Sequence, residues 1–168
     1  MSEFVTIAPE EYLASPFRMI GKEWMLIAAE KEGKTNAMTA AWGGLGVMWS
    51  KNVVFAVIRP HRYTREFVDA SDCFSLNFFD ASFHDRLGYF GTVSGRNEDK
   101  IAKTGLTVLR GDAPYFGEAS TAFLCRKLYA QPYAPEFFID RDCDSTWYPE
   151  KDYHIQYIGE VVRILVKN

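Results

Sequence analysis

The stretch Trp24-Met25-Leu26-Ile27-Ala28-Ala29-Glu30-Lys31-Glu32-Gly33-Lys34-Thr35-Asn36-Ala37-Met38-Thr39-Ala40-Ala41-Trp42 governs the reading of the whole chain. A short apolar run, Trp24–Ala29, and a second run, Ala37–Trp42, flank the polar residues Glu32 to Asn36, which include turn formers. That pattern predicts a β-hairpin with a short loop. Working outward, Asn52–Arg59 is rich in β-branched and aromatic residues and ends at Pro60, a strand signature with a stop. Phe74–Phe79, Thr107–Leu109, Ala119–Tyr129 and His154–Val166 read as further strands, the last with Gly159 marking a bulge or bend. Helices are short and few: Thr64 is expected to cap one through Arg65 to Ala70, Phe83–Phe90 forms a second, and Asn97 caps a third, Glu98–Lys103, stopped near Gly105. Many strands joined by short helices favour a closed or partly closed antiparallel barrel over a doubly wound sheet.

Composition narrows the function classes. With 168 residues, 48% hydrophobic and 24% charged, the sequence reads as one globular domain, 1–168, and not as a disordered chain. A net charge of −3 without a basic stripe argues against nucleic-acid binding. The first dozen residues lack the charged-then-apolar order of a signal peptide, and no apolar run nears the roughly 20 residues that span a bilayer, so no membrane partner and a cytoplasmic location are expected. Three cysteines stand at wide spacing with no CxxC: Cys73 and Cys125, in apolar runs, read as buried thiols, and Cys143 as an exposed loop residue. The histidines His61, His84 and His154 show no helical ligand spacing, and no metal site is expected.

Three segments combine residue types suited to a flat, phosphorylated ligand. In Asn36 to Gly44, small residues permit close backbone approach, Asn36 and Thr39 offer polar handles, and Trp42 a flat wall; an ordinary strand leading to a glycine turn fits equally. In Arg59-Pro60-His61-Arg62-Tyr63-Thr64 a strand ends where a helix begins, and a helix start with Arg62 and Thr64 suits a phosphate, although a capped surface helix gives the same pattern. In Gly91 to Lys100 a flexible Ser-Gly-Arg turn leads into a helix whose first turn carries Lys100, against the helix dipole unless an anion lies near; the plain alternative is a polar surface loop. Tyr129–Phe138, aromatic and proline-punctuated, reads as a lid, a dimer surface or a loop packed on its own aromatics.

Taken together, Asn36–Trp42, Arg59–Thr64, Ser94–Lys100 and His154 followed by Tyr157 to Val161 resemble the flavin-reductase-like, FMN-binding split-barrel family, and its flavoredoxin-like members in particular, over about Trp24 to Val166. The resemblance implies an antiparallel Greek-key split β-barrel and an FMN cofactor. It implies that Asn36, Thr39, Ala40, Ala41 and Trp42 lie along the flavin, that Arg62 and Thr64 hold the phosphate, and that Met38, Arg59 and Tyr63 also belong to the cofactor site. Ser94, Gly95, Arg96 and Lys100 would then close over the phosphate or ribityl chain, and His154, the sole catalytic candidate, would stand near the ring. It further implies a homodimer. The requirements of FMN agree: an apolar slot, amide donors and a cationic cradle, with the redox chemistry supplied by the cofactor. Three functions follow: an oxidoreductase with NADH or NADPH as transient donor, no GxGxxG being present for a resident nicotinamide; a flavin-binding electron carrier served by a redox protein partner; or a flavin- or haem-binding sensor.

Overall fold

The computed structural model describes residues 3–168. The N-terminal strand β1 (Phe4–Ile7) leads through a strap containing α1 (Pro16–Arg18) into the hairpin β2 (Met25–Lys31) and β3 (Lys34–Ala40). The expected hairpin is present and its loop is only two residues, because Lys31 pairs with Lys34 and both Glu32 and Gly33 adopt positive φ (51° and 78°). Such a turn matches the right-handed twist of the strands it joins. A second hairpin, β4 (Gly43–Met48) and β5 (Lys51–Ile58), follows directly, turned by Trp49 and Ser50 at φ 51° and 56°.

Then come α2 (Tyr63–Ala70), β6 (Cys73–Phe78), α3 (His84–Thr92), α4 (Lys100–Thr104), the small hairpin β7 (Val108–Arg110) and β8 (Pro114–Phe116), β9 (Thr121–Pro132), α5 (Arg141–Trp147) and β10 (Ile155–Lys167). The main sheet is antiparallel in the order β3-β2-β6-β9-β10-β5-β4, with β1 added along β10. Its two edges, β3 and β4, are joined by only Ala41 and Trp42, so the sheet curls without closing and the split lies at that connection. This is the mainly-β, short-helix split barrel expected from the sequence.

Two cores explain why β2 reads as an unbroken apolar run. Met25, Ile27 and Ala29 face the barrel interior with Val54, Ala56, Ile58, Phe74, Leu76, Phe123 and Tyr157, while Leu26 and Ala28 face outward under Leu87 and Phe90 of α3. Each fully buried Leu, Ile or Phe contributes about 1.5–3 kcal/mol, so both faces hold β2 in register. Gly159 does mark a bulge: the pairing of β10 with β9 shifts between Ile158 and Gly159.

Several expectations are corrected. Thr64 does not cap α2; Arg62 holds that position, and the Thr64 hydroxyl is buried in a hydrogen bond from Asn36. Asp99, not Asn97, caps α4, accepting from Ala102 N at 3.0 Å, whereas Gly105 ends the helix in the left-handed conformation as expected. Gly43 opens strand β4 rather than a turn; at φ 144° a side chain there would collide with the Phe55 carbonyl, so strand packing alone requires the glycine. β1, β4, β8 and α5 are absent from the sequence reading, β4 because Gly43-Gly44-Leu45-Gly46 carries no strand propensity. Cys125 is fully buried and Cys143 exposed, but Cys73 is only half-buried and Cys143 sits on α5 instead of a loop.

A Cβ built on Gly159 would lie 2.8 Å from the buried Phe74 ring and 3.1 Å from Cys125 Cβ. Gly159→Ala is therefore expected to lower stability by about 1–3 kcal/mol through overpacking. Urea denaturation reads this directly, and a change below about 0.5 kcal/mol would show that the bulge relaxes freely.

Candidate functional site

Strand β3, the β5–α2 turn and the turn before α4 meet at one end of the barrel. Asn36 on β3 donates through Nδ2 to Thr64 Oγ1 at 2.8 Å, tying β3 to the start of α2. Gly95 lies against this pair: a Cβ there would overlap Asn36 Oδ1 and come within 3.1 Å of the Tyr63 ring. The Ser-Gly-Arg turn thus reaches the site because position 95 has no side chain. Asn36, Met38, His61, Arg62, Tyr63, Thr64, Gly91 to Gly95 and Lys100 surround a cleft of about 320 Å³.

The charges in this cleft are unusual. Lys100 begins α4 and is 4% exposed, yet its ammonium donates only to Phe90 O, at 3.1 Å, above the Phe90 ring. Half-buried Arg62 donates to Gly91 O at 3.0 Å. Among the described residues neither cation has a carboxylate within ion-pair distance. Burial, reinforced by the positive charge of Arg62, lowers the Lys100 ammonium to about 8, and burial lowers Arg62 as well. Two desolvated cations satisfied only by carbonyl dipoles form a cradle for an anion.

A second cleft of about 250 Å³ adjoins the first at Met38 and Arg62 and is lined also by Thr39, Ala40, Ala41, Trp42, Val57, Arg59, Trp147 and His154. Its walls are aromatic. Trp42, 40% exposed, stands edge-to-face with Trp147 at 5.0 Å and tilted against His154 at 5.2 Å. Because β3 is a sheet edge, alternate amides along it have no strand partner and are free to meet a ligand. His154 is 8% exposed, with Nδ1 2.7 Å from the hydroxyl of buried Tyr148. Burial above all, then the charge of Arg59, lowers His154 to about 4, so the ring is neutral near pH 7.

The structure gathers Asn36, Met38 to Trp42, Arg59, Arg62, Tyr63, Thr64, Ser94, Gly95, Lys100 and His154 around these two clefts. Their individual commitments differ. Arg59 is held by the segment between β9 and β10: it pairs with Asp152 at 2.8 Å, donates to Trp147 O at 2.8 Å and lies over the Tyr148 ring. Arg96 stands outside the cleft lining, paired with Glu66 and stacked over Tyr63 at 4.6 Å. The Thr39 hydroxyl donates to Leu87 O and so anchors α3. The sequence reading omitted Trp147, Tyr148 and Val57; the adjacent aromatics Trp147-Tyr148 in an otherwise polar stretch were the available signal. Tyr129–Phe138 splits between β9 and a loop in which Phe138 packs on Tyr148 and Tyr153, bordering a separate apolar cavity of about 440 Å³. Among the described residues no cluster of His, Cys, Asp and Glu is arranged to hold a metal ion, and no helix is long and apolar enough to cross a membrane.

Residues 17–168 match the family described as flavin reductase like domain, and the chain belongs to that family. Solved structures agree on the fold. An FMN-binding domain of a flavin reductases-like enzyme from Shewanella baltica OS155 is 18% identical, with 98% of this chain and 78% of that chain covered at a TM-score of 0.69. Flavoredoxin of Desulfovibrio vulgaris (Miyazaki F) is 23% identical over 96% of this chain and 76% of that one, TM-score 0.67. An FMN-binding protein from Thermus thermophilus, solved with bound 1-cyclohex-2-enone, is 20% identical over 94% and 75%, TM-score 0.66. None of the curated proteins matches the chain significantly.

The lowered Lys100 ammonium has a consequence for stability. Its folded-state value, about 8, lies below the ordinary lysine value of 10.5, so the unfolded chain binds more protons between these limits. Stability of the ligand-free protein is expected to rise as pH climbs from about 8 to 10.5 through this group. Replacing it with the apolar Met is expected to flatten that rise in a pH series of thermal melts. Trp42→Ala, at a half-exposed wall, is expected to cost no more than about 1.5 kcal/mol; a variant that fails to fold would place Trp42 in the core instead.

Proposed function

We propose that the chain binds FMN, with the phosphate between Arg62, Lys100 and the Ser94–Gly95 turn, and the isoalloxazine ring along Met38–Trp42 toward His154. The observation that carries this reading is the pair of cations, buried Lys100 and half-buried Arg62, without a carboxylate partner, placed beside an aromatic-walled cleft. A phosphate dianion supplies the missing charge and the Thr64 and first-turn groups of α2 add donors. FMN, when bound, supplies hydride and electron transfer. The chain's own residues bind and orient: Arg62 and Lys100 fix the tail, Gly95 lets its turn close on Asn36, and Trp42, Trp147 and His154 bound the ring end.

On this reading the protein is an oxidoreductase that passes hydride or electrons through FMN, with NADH or NADPH as transient donor. A flavoredoxin-like carrier, reduced by a protein partner, is the second reading. It is favoured by Trp42 and Trp147, which meet edge-to-face at 5.0 Å at the ring end and narrow the approach of a nicotinamide. We place the protein in the cytoplasm, in keeping with three unpaired thiols. We also propose a homodimer, whose contact would cover exposed apolar residues such as Val47 and Trp49.

The visible spectrum of the purified protein tests the central claim: a colourless protein that also ignores added FMN would sink it. Anaerobic bleaching by NADH or NADPH supports the oxidoreductase, and a flavin that neither nucleotide reduces supports the carrier. Arg62→Ala is expected to weaken FMN binding at least tenfold, and Lys100→Met to do the same while leaving the ligand-free protein equally or more stable. Unchanged FMN affinity in both variants would remove the phosphate assignment.

A further inference from the structure

We propose that Tyr148 is a positioning residue that fixes His154 as an Nε2–H donor at the cleft it lines with Trp42 and Trp147, and that the second ligand taken there bears a carbonyl acceptor. Only the word "second" rests on the flavin reading; the geometry of the pair stands by itself.

Tyr148 closes α5 and is 4% exposed, and its hydroxyl has one partner, His154 Nδ1 at 2.7 Å. A buried phenol left without an acceptor is costly, so its single O–H proton is donated to Nδ1. Burial raises Tyr148 above the ordinary phenol value, so the proton stays on the oxygen. A neutral imidazole that accepts at Nδ1 must carry its hydrogen on Nε2. That nitrogen has no hydrogen-bond partner among the described residues, and it is not one of the sealed, unpartnered polar atoms, which are Thr35 Oγ1 and Tyr89 Oη. His154 lines the cleft with Trp42 and Trp147, so the free donor is available to a ligand in that cleft.

The surrounding charges hold this state. Arg59 on the β5 side and His61 in the following turn disfavour a charged His154, whereas Asp152 favours it; but Asp152 is committed to Arg59 at 2.8 Å, and Arg62 adds positive charge to the same cleft. Arg59 also donates to Trp147 O and lies 5.0 Å over the Tyr148 ring, so one guanidinium staples both Trp147 and Tyr148 in place. An aromatic-walled cleft with one fixed neutral donor selects a ligand with an acceptor and disfavours a cation.

The test uses the full chain labelled with 15N at its three histidines. In the wild type, His154 is expected to show a protonated Nε2 and a bare Nδ1 from pH 5.5 to 8. In Tyr148→Phe the tautomer is expected to become mixed and the charging midpoint to rise by about one pH unit, because a hydrogen bond to the neutral form has been removed. Acetophenone and ethylbenzene then serve as probes that differ in the carbonyl. The wild type is expected to prefer acetophenone by roughly tenfold and Tyr148→Phe to lose most of that preference. A wild-type His154 protonated at Nδ1, a Tyr148→Phe protein with unchanged ring signals, or equal binding of the two probes by the wild type would each overturn the proposal. A protein that fails to bind FMN yet keeps the tautomer and the ketone preference would remove the flavin reading while supporting the Tyr148–His154 pair.

Discussion

Arg62 and Lys100 share a partly desolvated cleft with only backbone carbonyls as partners, and the rest of the site is organised around that imbalance. A buried ammonium without a counter-ion is unfavourable, and the lowering of Lys100 to about 8 expresses that cost. The fold holds both cations in place through elements that have their own cores. Lys100 is fixed as the first residue of a helix capped by Asp99, and Arg62 as the residue preceding α2, whose Phe67 and Val68 enter the barrel core. The strain is thus borne locally while the barrel remains tightly packed.

The barrel supplies the second requirement, an open edge. If β3 and β4 paired with each other, the backbone of Met38 to Ala40 would be consumed by the sheet. They do not pair, and the split leaves that edge beside the clefts. The connection between them carries Trp42 outward. Its partner Trp147 comes from α5, more than a hundred residues later, carried by the segment that Arg59 ties down.

The two clefts differ in kind: one is built on charge, the other on aromatic walls and one neutral histidine. The first is electrostatic, tolerant of the exact shape of the ligand and sensitive to salt. The second is geometric: His154 depends on Tyr148 for its tautomer and on Arg59 for its surroundings. Family membership fixes the fold and the general class, and these two sites determine which chemistry of that class the chain can serve.

The sequence by itself determined the strand-rich architecture, since apolar runs, turn residues and Gly159 are local signals that act over a few residues. It also marked Asn36, Thr39 to Trp42, Arg62, Thr64 and Lys100, because helix starts, small residues and an ill-placed lysine are visible in order, whereas Met38 and His154 came only with the family resemblance. Only the tertiary structure decided their roles. Thr64 looks like a cap until Asn36, from another strand, claims its hydroxyl. Gly95 looks like loop flexibility until the Asn36 side chain is seen to need its space, and the pairing of Arg96 with Glu66 is not visible in the sequence. Trp147 and Tyr148 offered only an aromatic pair in a polar stretch, because contact with Trp42 and His154 is set by chain packing and not by sequence spacing. Local propensity is written in neighbouring residues, whereas burial, charge balance and hydrogen-bond partnership depend on which distant segments the fold brings together.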